Sequence, residues 1–391
     1  MVRDLAIEGY LLIFRAVFSF FRLFPLKSKA VFVSSFGDNS WFILNEMDKQ
    51  QLPIKRVVLK KKSCKIDIKG DGDTIVFHFE TKNLIHMLLS IYHLATSRWI
   101  IADNYFGFLS AVNFKKGVKV VQIWHAAGAV KKFASKDPSI KFRSERARNR
   151  FLKVYSQFDY VTAGSDIMGD IFKESFQIGD GNILKTGVPR TDFFFDQKAK
   201  QTAYRALKKS FPELEGKRTI LYAPTYRNEE LKTDKLALDL DLLYRELEHE
   251  DYVLLLKLHP AVTADIDFSS KYPGFVYDLS TFPDVNQLLL ITDVLVTDYS
   301  SIPFEYSLLQ KPMIFFAYDL EEYSKERGFW EDYKDSMPGP VVYTTADLLM
   351  ELKKHDYDVV KIEQFRKKWN HYSDGHSSKK LVSFLFGEQS Q

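Results

Sequence analysis

Four apolar runs in this chain each end in side chains able to do chemistry. His125 follows VKVVQIW, Thr225 and Arg227 follow TILYAP, His259 follows VLLLKL, and Asp298, Ser300 and Ser301 follow VLVT. A histidine in such a place can act as general base on a hydroxyl or donate to a phosphate oxygen. The stretch VLVTDYSSIPFEYSLLQKP, residues 294–312, reads as a buried strand feeding a helix, with Pro303 in the first helical turn. The free N–H groups of that turn, together with Ser300 and Ser301, offer several donors to one anion, most simply a phosphate. Glu305 stands one residue too far from Ser301 for a Ser-x-x-Glu capping box, which leaves its carboxylate for ligand hydroxyls. Arg227, and Arg190 in GVPRTD, are candidates for pairing with diphosphate oxygens or, alternatively, with surface carboxylates.

The elements that must position these residues alternate along the text. From Ala30 come the strands AVFVSSF, RVVLKK and TIVFHF, a helix around NLIHMLLSIYHLATS, and then RWIIADNY, VKVVQIWHA and FDYVTAGS. A polar, helical connector spans residues 181–217, and the alternation restarts with RTILYAPTY, YVLLLKLHP, GFVYDLS, DVLVTDYSS, PMIFFAY and PVVYTT. Strand-helix alternation with Val- and Ile-rich strands predicts parallel, doubly wound sheets. The expected organisation is an N-terminal amphipathic helix over 1–29, a Rossmann-like domain over 30–205 and a second over 206–391. Such domains, facing across a cleft, bind ligands beyond the carboxyl ends of their strands.

The 391 residues are 46% hydrophobic, enough for two cores, and the single cysteine, Cys64, rules out a disulfide framework and fits a reducing compartment. Net charge is only +4, but it is unevenly spread. Residues 1–29 carry five basic and two acidic side chains, and residues 115–153 carry twelve against two. A helical pattern from Ile140 to Phe158 holds Lys141, Arg143, Arg146, Arg148, Arg150 and Lys153. Localised positive charge suits nucleic acid or an anionic membrane. No aromatic residues interleave with these charges in a stacking pattern, whereas the N-terminus is apolar and aromatic, with Leu11, Leu12, Phe14, Val17, Phe18, Phe21 and Phe24 interrupted by Glu8, Arg15 and Arg22. Its uncharged runs are far short of the ~20 residues that span a bilayer. The reading is a helix lying on an anionic membrane surface rather than crossing it, with no nucleic-acid partner. A helix packed on the protein's own surface is the alternative.

There is no GxxxxGK[ST] loop, no GxGxxG and no Cys/His zinc spacing, so an ATPase, a dinucleotide dehydrogenase and a zinc hydrolase lose ground. The pair Asp71 and Asp73 reads as a turn and the pair Asp239 and Asp241 as a helix start, so neither is expected to hold metal, and no cofactor is expected.

In order, QIWHAAGAVKKF, KTGVPRTDFFF, ILYAPTYR, LLLKLHP, LVTDYSSIPFEYSLLQKPMIFFAYDLEEY and the tail WNHYSDGHSSKKLVSFL resemble the CDP-glycerol glycerophosphotransferases of teichoic acid synthesis, and the priming members most of all. The resemblance runs from about Ala30 to the end of the chain. It implies a GT-B-like fold, peripheral attachment at the cytoplasmic face of the cell membrane, and transfer of glycerol phosphate from CDP-glycerol to an undecaprenyl-diphosphate-linked disaccharide with release of CMP. The second-step or polymerising members of the family, and a nucleotide-sugar glycosyltransferase of the same fold, are the alternatives. The family's donor site maps onto Trp124, His125, Ala126, Ala127, Gly128, Arg190, Pro224, Thr225, Lys257, Leu258, His259, Ser300, Ser301 and Glu305. Where many members have His-Gly-Thr-Pro, this chain has His125-Ala126-Ala127-Gly128, and where many have arginine it has Lys257.

Overall fold

The computed structural model describes residues 2–64, 66–70, 72–227, 236–258 and 267–387. They form two units. Unit 1 comprises 1–125, 133–192 and 371–391, and unit 2 comprises 126–132 and 193–370.

Unit 1 opens with α1 (Val2–Phe21) and is built on a seven-stranded sheet. Its strands are β1 (Lys27–Ser34), β2 (Lys55–Lys60), β3 (Thr74–His78), β4 (Ser97–Ala102), β5 (Lys119–Gln122), β6 (Tyr160–Thr162) and β7 (Ile183–Leu184). They pair in parallel in the order β3-β2-β1-β4-β5-β6-β7. Phe32 of β1 lies opposite Val58 on one side and Ile101 on the other, all three fully buried, as strands covered on both faces require. Helices α2 (Asp38–Lys49), α3 (Leu84–Ala95), α4 (Glu145–Tyr155) and α5 (Asp166–Phe176) are the crossovers. The helix expected over 140–158 is shorter because Ser144 caps it, accepting from Ala147 N–H at 3.3 Å, and 138–142 form a separate 3-10 turn.

Unit 2 holds α6 (Gln197–Ser210), β8 (Arg218–Ala223), α7 (Leu240–Leu247), β9 (Tyr252–Leu256), α8 (Phe268–Lys271), β10 (Val276–Asp278), α9 (Val285–Ile291) and β11 (Val294–Thr297). It continues through α10 (Ile302–Tyr306), β12 (Met313–Phe316), α11 (Leu320–Arg327), α12 (Tyr333–Ser336), β13 (Val341–Val342), α13 (Thr345–Lys354) and α14 (Val359–Trp369). Its six strands are parallel, in the order β10-β9-β8-β11-β12-β13. Asp239 does what the sequence suggests, capping α7 by accepting from Leu242 N–H at 2.9 Å; Asp71 lies outside the described residues.

The chain then returns to unit 1. Helix α15 (Ser377–Phe386) buries Leu381, Val382 and Phe386 in the core of the first sheet, with the Phe386 ring 5.0 Å from Trp99. This differs from the expected boundary at 205/206, which falls inside α6, and from a second domain running to residue 391. A contiguous reading has no way to foresee a tail whose apolar face fits the earlier core. The tail is anchored by Asp192, which accepts from the N–H groups of Ser377 and Ser378 at 2.8 Å each. Gly187, at φ +84, lets the backbone pass so closely that a Cβ there would lie 2.7 Å from the Tyr372 carbonyl oxygen.

Helix α1 has two apolar faces. Phe14 and Phe18 are buried, Phe14 stacking on Phe108 at 5.2 Å, and Arg15 Nε donates to the Ala111 carbonyl at 3.0 Å. Leu12 and Ile13 point outward at 65% and 67% exposure, and so do Leu84 and Ile85 of the adjoining α3 at 76% and 68%. Leu11, Phe14 and Phe18, expected on a membrane-facing side, thus pack inward, and the outward apolar surface is shared with a helix the sequence did not single out. Among the described residues no helix is long and apolar enough to cross a membrane.

Candidate active site

In both sheets the strand order reverses beside the first strand, between β1 and β4 in unit 1 and between β8 and β11 in unit 2. Crossovers leave in opposite directions there, so the loops after those strands part and expose backbone N–H groups. Each unit closes this gap with an aspartate. Asp103, after β4, is 1% exposed and accepts from the N–H groups of Ser35, Phe36 and Gly37 after β1, at 2.9 Å each. Asp298, after β11, is equally buried and accepts from Thr225 N–H after β8 at 2.7 Å. Burial pushes the Asp103 carboxyl up to about 6, against the pull of its three N–H donors.

His125 is built on this frame. Its Nδ1 lies 3.2 Å from the Asp103 carbonyl oxygen. A carbonyl only accepts, so Nδ1 carries the proton and Nε2 keeps its lone pair. The ring is stacked between Phe36 and Trp124, with centroids 4.5 Å away on each side. Burial lowers its pKa to about 4, so the ring is neutral at neutral pH. Trp124 turns the chain with φ at 51°, an uncommon value for a bulky residue. Two side chains hold that turn. Gln122 Oε1 accepts from Trp124 N–H at 2.9 Å, and Asn39 Nδ2 donates to the carbonyls of Trp124 at 2.9 Å and Ile123 at 3.2 Å. The other end of the Asn39 amide accepts from Arg190 N–H at 2.8 Å, and Arg190 Nη1 pairs with Asp38 at 3.1 Å. His125 and Arg190 are therefore brought together in unit 1 through α2, by a buried asparagine that no sequence motif marked.

Unit 2 begins immediately after His125. Ala127 N–H donates to Glu305 Oε1 at 3.1 Å, and Gly128 packs under the Phe304 ring so tightly that a Cβ would overlap it. Phe304 is braced from its other side by Phe365 and Trp369 of α14, at 5.2 and 4.7 Å. The Ala-Ala-Gly departure from the family pattern thus has a structural counterpart, a loop seated on α10 by its backbone. Glu305 is 1% exposed and joins that seat. Ser300 and Ser301 are half-buried; Ser300 Oγ accepts from Ile302 N–H at 3.2 Å, and the Ser301 side chain makes no cap, in a helix only five residues long.

Two candidates are redirected by their geometry. Arg227 spends its guanidinium on a two-pronged pair with Asp319, at 2.6 and 2.8 Å, and on Asp298 and the Thr225 carbonyl, at 2.7 Å each, beside the Tyr299, Tyr318 and Tyr323 rings. That makes it a residue that positions the loop after β8 rather than a ready diphosphate ligand. Lys257 Nζ donates to the Ser280 and Phe282 carbonyls at 2.7 Å each, fixing the loop after β10. Leu258 is buried, its N–H on Ser280 Oγ, and Pro224 and Thr225 are the turn that Asp298 holds. His259 lies outside the described residues. A basic residue beside Asp298, Lys131, has its pKa lowered by burial to about 8 and lies 5.9 Å from the Tyr323 ring; the sequence showed it only as part of a charge run.

Residues 16–387 match the family described as CDP-glycerol:poly(glycerophosphate) glycerophosphotransferase. The chain is 36% identical to the teichoic acid glycerol-phosphate primase of Bacillus subtilis (strain 168), over 98% of each protein. It is 34% identical to the teichoic acid poly(ribitol-phosphate) polymerase of Bacillus spizizenii, over 97% of this chain and 60% of that one. The solved structure of the wall teichoic acid polymerase TagF aligns over 100% of both chains, at a TM-score of 0.80 and 25% identity. With paired parallel sheets of GT-B-like type and a family match over nearly its whole length, the chain belongs to the CDP-glycerol glycerophosphotransferases and is a transferase.

Proposed function

We propose that the enzyme transfers glycerol phosphate from CDP-glycerol to an undecaprenyl-diphosphate-linked N-acetylmannosaminyl-N-acetylglucosamine, as a teichoic acid primase acting at the cytoplasmic face of the membrane. The observation that carries the chemistry is the His125 tautomer. Nδ1 is committed to the Asp103 carbonyl, so Nε2 is the atom able to take a proton. The end-to-end likeness to a glycerol-phosphate primase supports the substrate assignment.

In this reading an acceptor hydroxyl attacks the phosphorus of the glycerol phosphate in line. Its proton passes to His125 Nε2, and the bond from phosphorus to the CMP oxygen breaks. General-base help of this kind is worth roughly 10²–10⁴ in rate. Arg190, Lys131 and the Ser300 and Ser301 hydroxyls stabilise negative charge as it moves to the departing phosphate. Glu305, with Trp124 and the loop from Ala126 to Gly128, shapes the glycerol side, and His259 is retained as a donor to a phosphate oxygen. Arg227 and Lys257 act through the loops they fix.

The likeness to polymerases supports a second reading, addition of glycerol phosphate to an acceptor already primed. CMP release with product mass read out separates the two. One added unit on the bare lipid-linked disaccharide alone is expected of the primase; reaction only with the primed acceptor would overturn it in favour of the second reading, and silence on both would overturn the activity itself.

A further inference from the structure

Away from the strand ends, unit 1 contains a cavity of about 940 Å³ between α1, α3 and the segment after β4. That is the upper end of the range in which proteins hold sizeable ligands. Phe14, Met87, Ile91 and Phe108 give it apolar walls. Ile13 and Leu84, both strongly exposed, also line it, so it opens onto the outward apolar face shared by α1 and α3. A pocket entered through greasy side chains suits a ligand arriving from lipid, not from water.

Its charged lining is mostly basic, Lys82, Arg143 and Arg150 against Glu80. Arg143 and Arg150 line it beside Ala147. The Arg143 guanidinium lies 4.1 Å over the Phe151 ring, and no carboxylate pairs with it among the described residues. Arg150 reaches Asp4 and Glu8 of α1 only at 3.7 and 3.9 Å, longer than hydrogen bonds, so an incoming anion can draw it away. Tyr105 also lines it, two residues beyond the Asp103 carbonyl that orients His125. Two extended residues span at most about 7 Å. The groove thus joins an apolar mouth to two arginines, and its wall residue Tyr105 is close in the chain to the carbonyl that orients the histidine.

We propose that this groove holds the first isoprene units of a polyprenyl diphosphate, with Arg143 and Arg150 on the diphosphate and the attached sugar directed toward His125. The assignment rests on the acceptor being a lipid-linked diphosphate, and it is tested without turnover. The probe is farnesyl diphosphate, titrated calorimetrically into the full chain in the absence of vesicles. The expected result is saturable binding, weakened at least about tenfold by Ala147→Trp, which fills the groove, by Met87→Trp on the opposite wall should the first variant fold poorly, and by Arg143→Gln. Inorganic diphosphate and farnesol, each lacking one half of the ligand, bind at least about tenfold more weakly than the probe. Adsorption to phosphatidylglycerol vesicles stays unchanged in Ala147→Trp, because the outward faces of α1 and α3 are intact.

Farnesyl diphosphate binding that ignores both tryptophan variants, or inorganic diphosphate binding as tightly, would overturn the proposal. So would parallel loss of vesicle adsorption, which would make the groove part of a general lipid surface. If CMP release fails on every acceptor while the binding results hold, the activity reading falls and the groove stands; the reverse outcome removes the groove alone.

Discussion

Replacing Asn39 with alanine tests the idea that a buried amide on α2 sets the geometry of His125. The side chain is 2% exposed and serves three backbone groups, the Ile123 and Trp124 carbonyls and the Arg190 N–H. Each hydrogen bond contributes about 1 kcal/mol net, and partners left dry and unpaired add to the loss, so Asn39→Ala is expected to cost roughly 3–5 kcal/mol. In a unit of this size that lowers the unfolding midpoint by about 10 °C. The turn at Trp124, no longer held at its left-handed φ, lets the imidazole drift, and kcat falls by about 10²-fold, the lower end of what a general base supplies. KM for CDP-glycerol changes much less. Asn39→Asp keeps the shape but sets a carboxylate oxygen against two carbonyl oxygens, and is expected to be at least as damaging. Thermal unfolding and steady-state CMP release check both. A variant with wild-type midpoint and wild-type kcat would refute the reasoning, since the strand end would then hold His125 unaided.

Further outcomes follow from the same contacts. His125 has a lowered folded-state pKa, about 4, so the ring itself stays neutral as pH falls through 6 and its resonances, followed by NMR, titrate near pH 4; a midpoint at the ordinary histidine value of about 6.5 would contradict its burial. By the same linkage the unfolded chain takes up this proton first, and stability is lost as pH drops from about 6.5 toward 4. Arg227→Lys breaks the fork on Asp319 and strands the buried Asp298, at a cost of about 3–5 kcal/mol seen in urea unfolding. Phe14→Ala removes a buried ring and costs about 3–5 kcal/mol, whereas Leu12→Ser leaves stability within about 0.5 kcal/mol and weakens sedimentation with anionic vesicles. Gly128→Ala, pressed onto Phe304, destabilises by about 1–3 kcal/mol and lowers CMP release with it.

Much of the site was legible because parallel sheets deliver functional side chains at the ends of strands, and the strands announce themselves by short Val- and Ile-rich runs. His125 and Ser300 are candidates on that ground, whereas Arg190, in the connector, and Glu305, inside α10, are candidates by residue type and spacing. What could not be read was which polar groups the protein keeps for itself. Arg227 and Lys257 have the right types in the right places, yet Asp298 and Asp319 claim the one and the Ser280 and Phe282 carbonyls the other. The framing roles of Asn39 and Asp103 are silent in the sequence for the converse reason. Their partners are backbone groups 66 or more residues away, and backbone groups carry no sequence signal. The apolar face of α1 was visible, but its division into an inward and an outward half depends on Phe108 and Tyr92, which periodicity within one helix does not contain.

The return of α15 to the first sheet inverts the order in which the protein is finished during synthesis. Unit 1 is begun first, yet its core lacks Leu381, Val382 and Phe386 until residues past 371 have left the ribosome. Unit 2 has all its strands and α14 by residue 370 and can close earlier. In the interval the face of unit 1 awaiting α15, Trp99 and Ile43 included, stays exposed. A nascent chain in that state is prone to aggregate or to be held by chaperones. Trimming even the last helix should therefore injure the half of the molecule that was translated first.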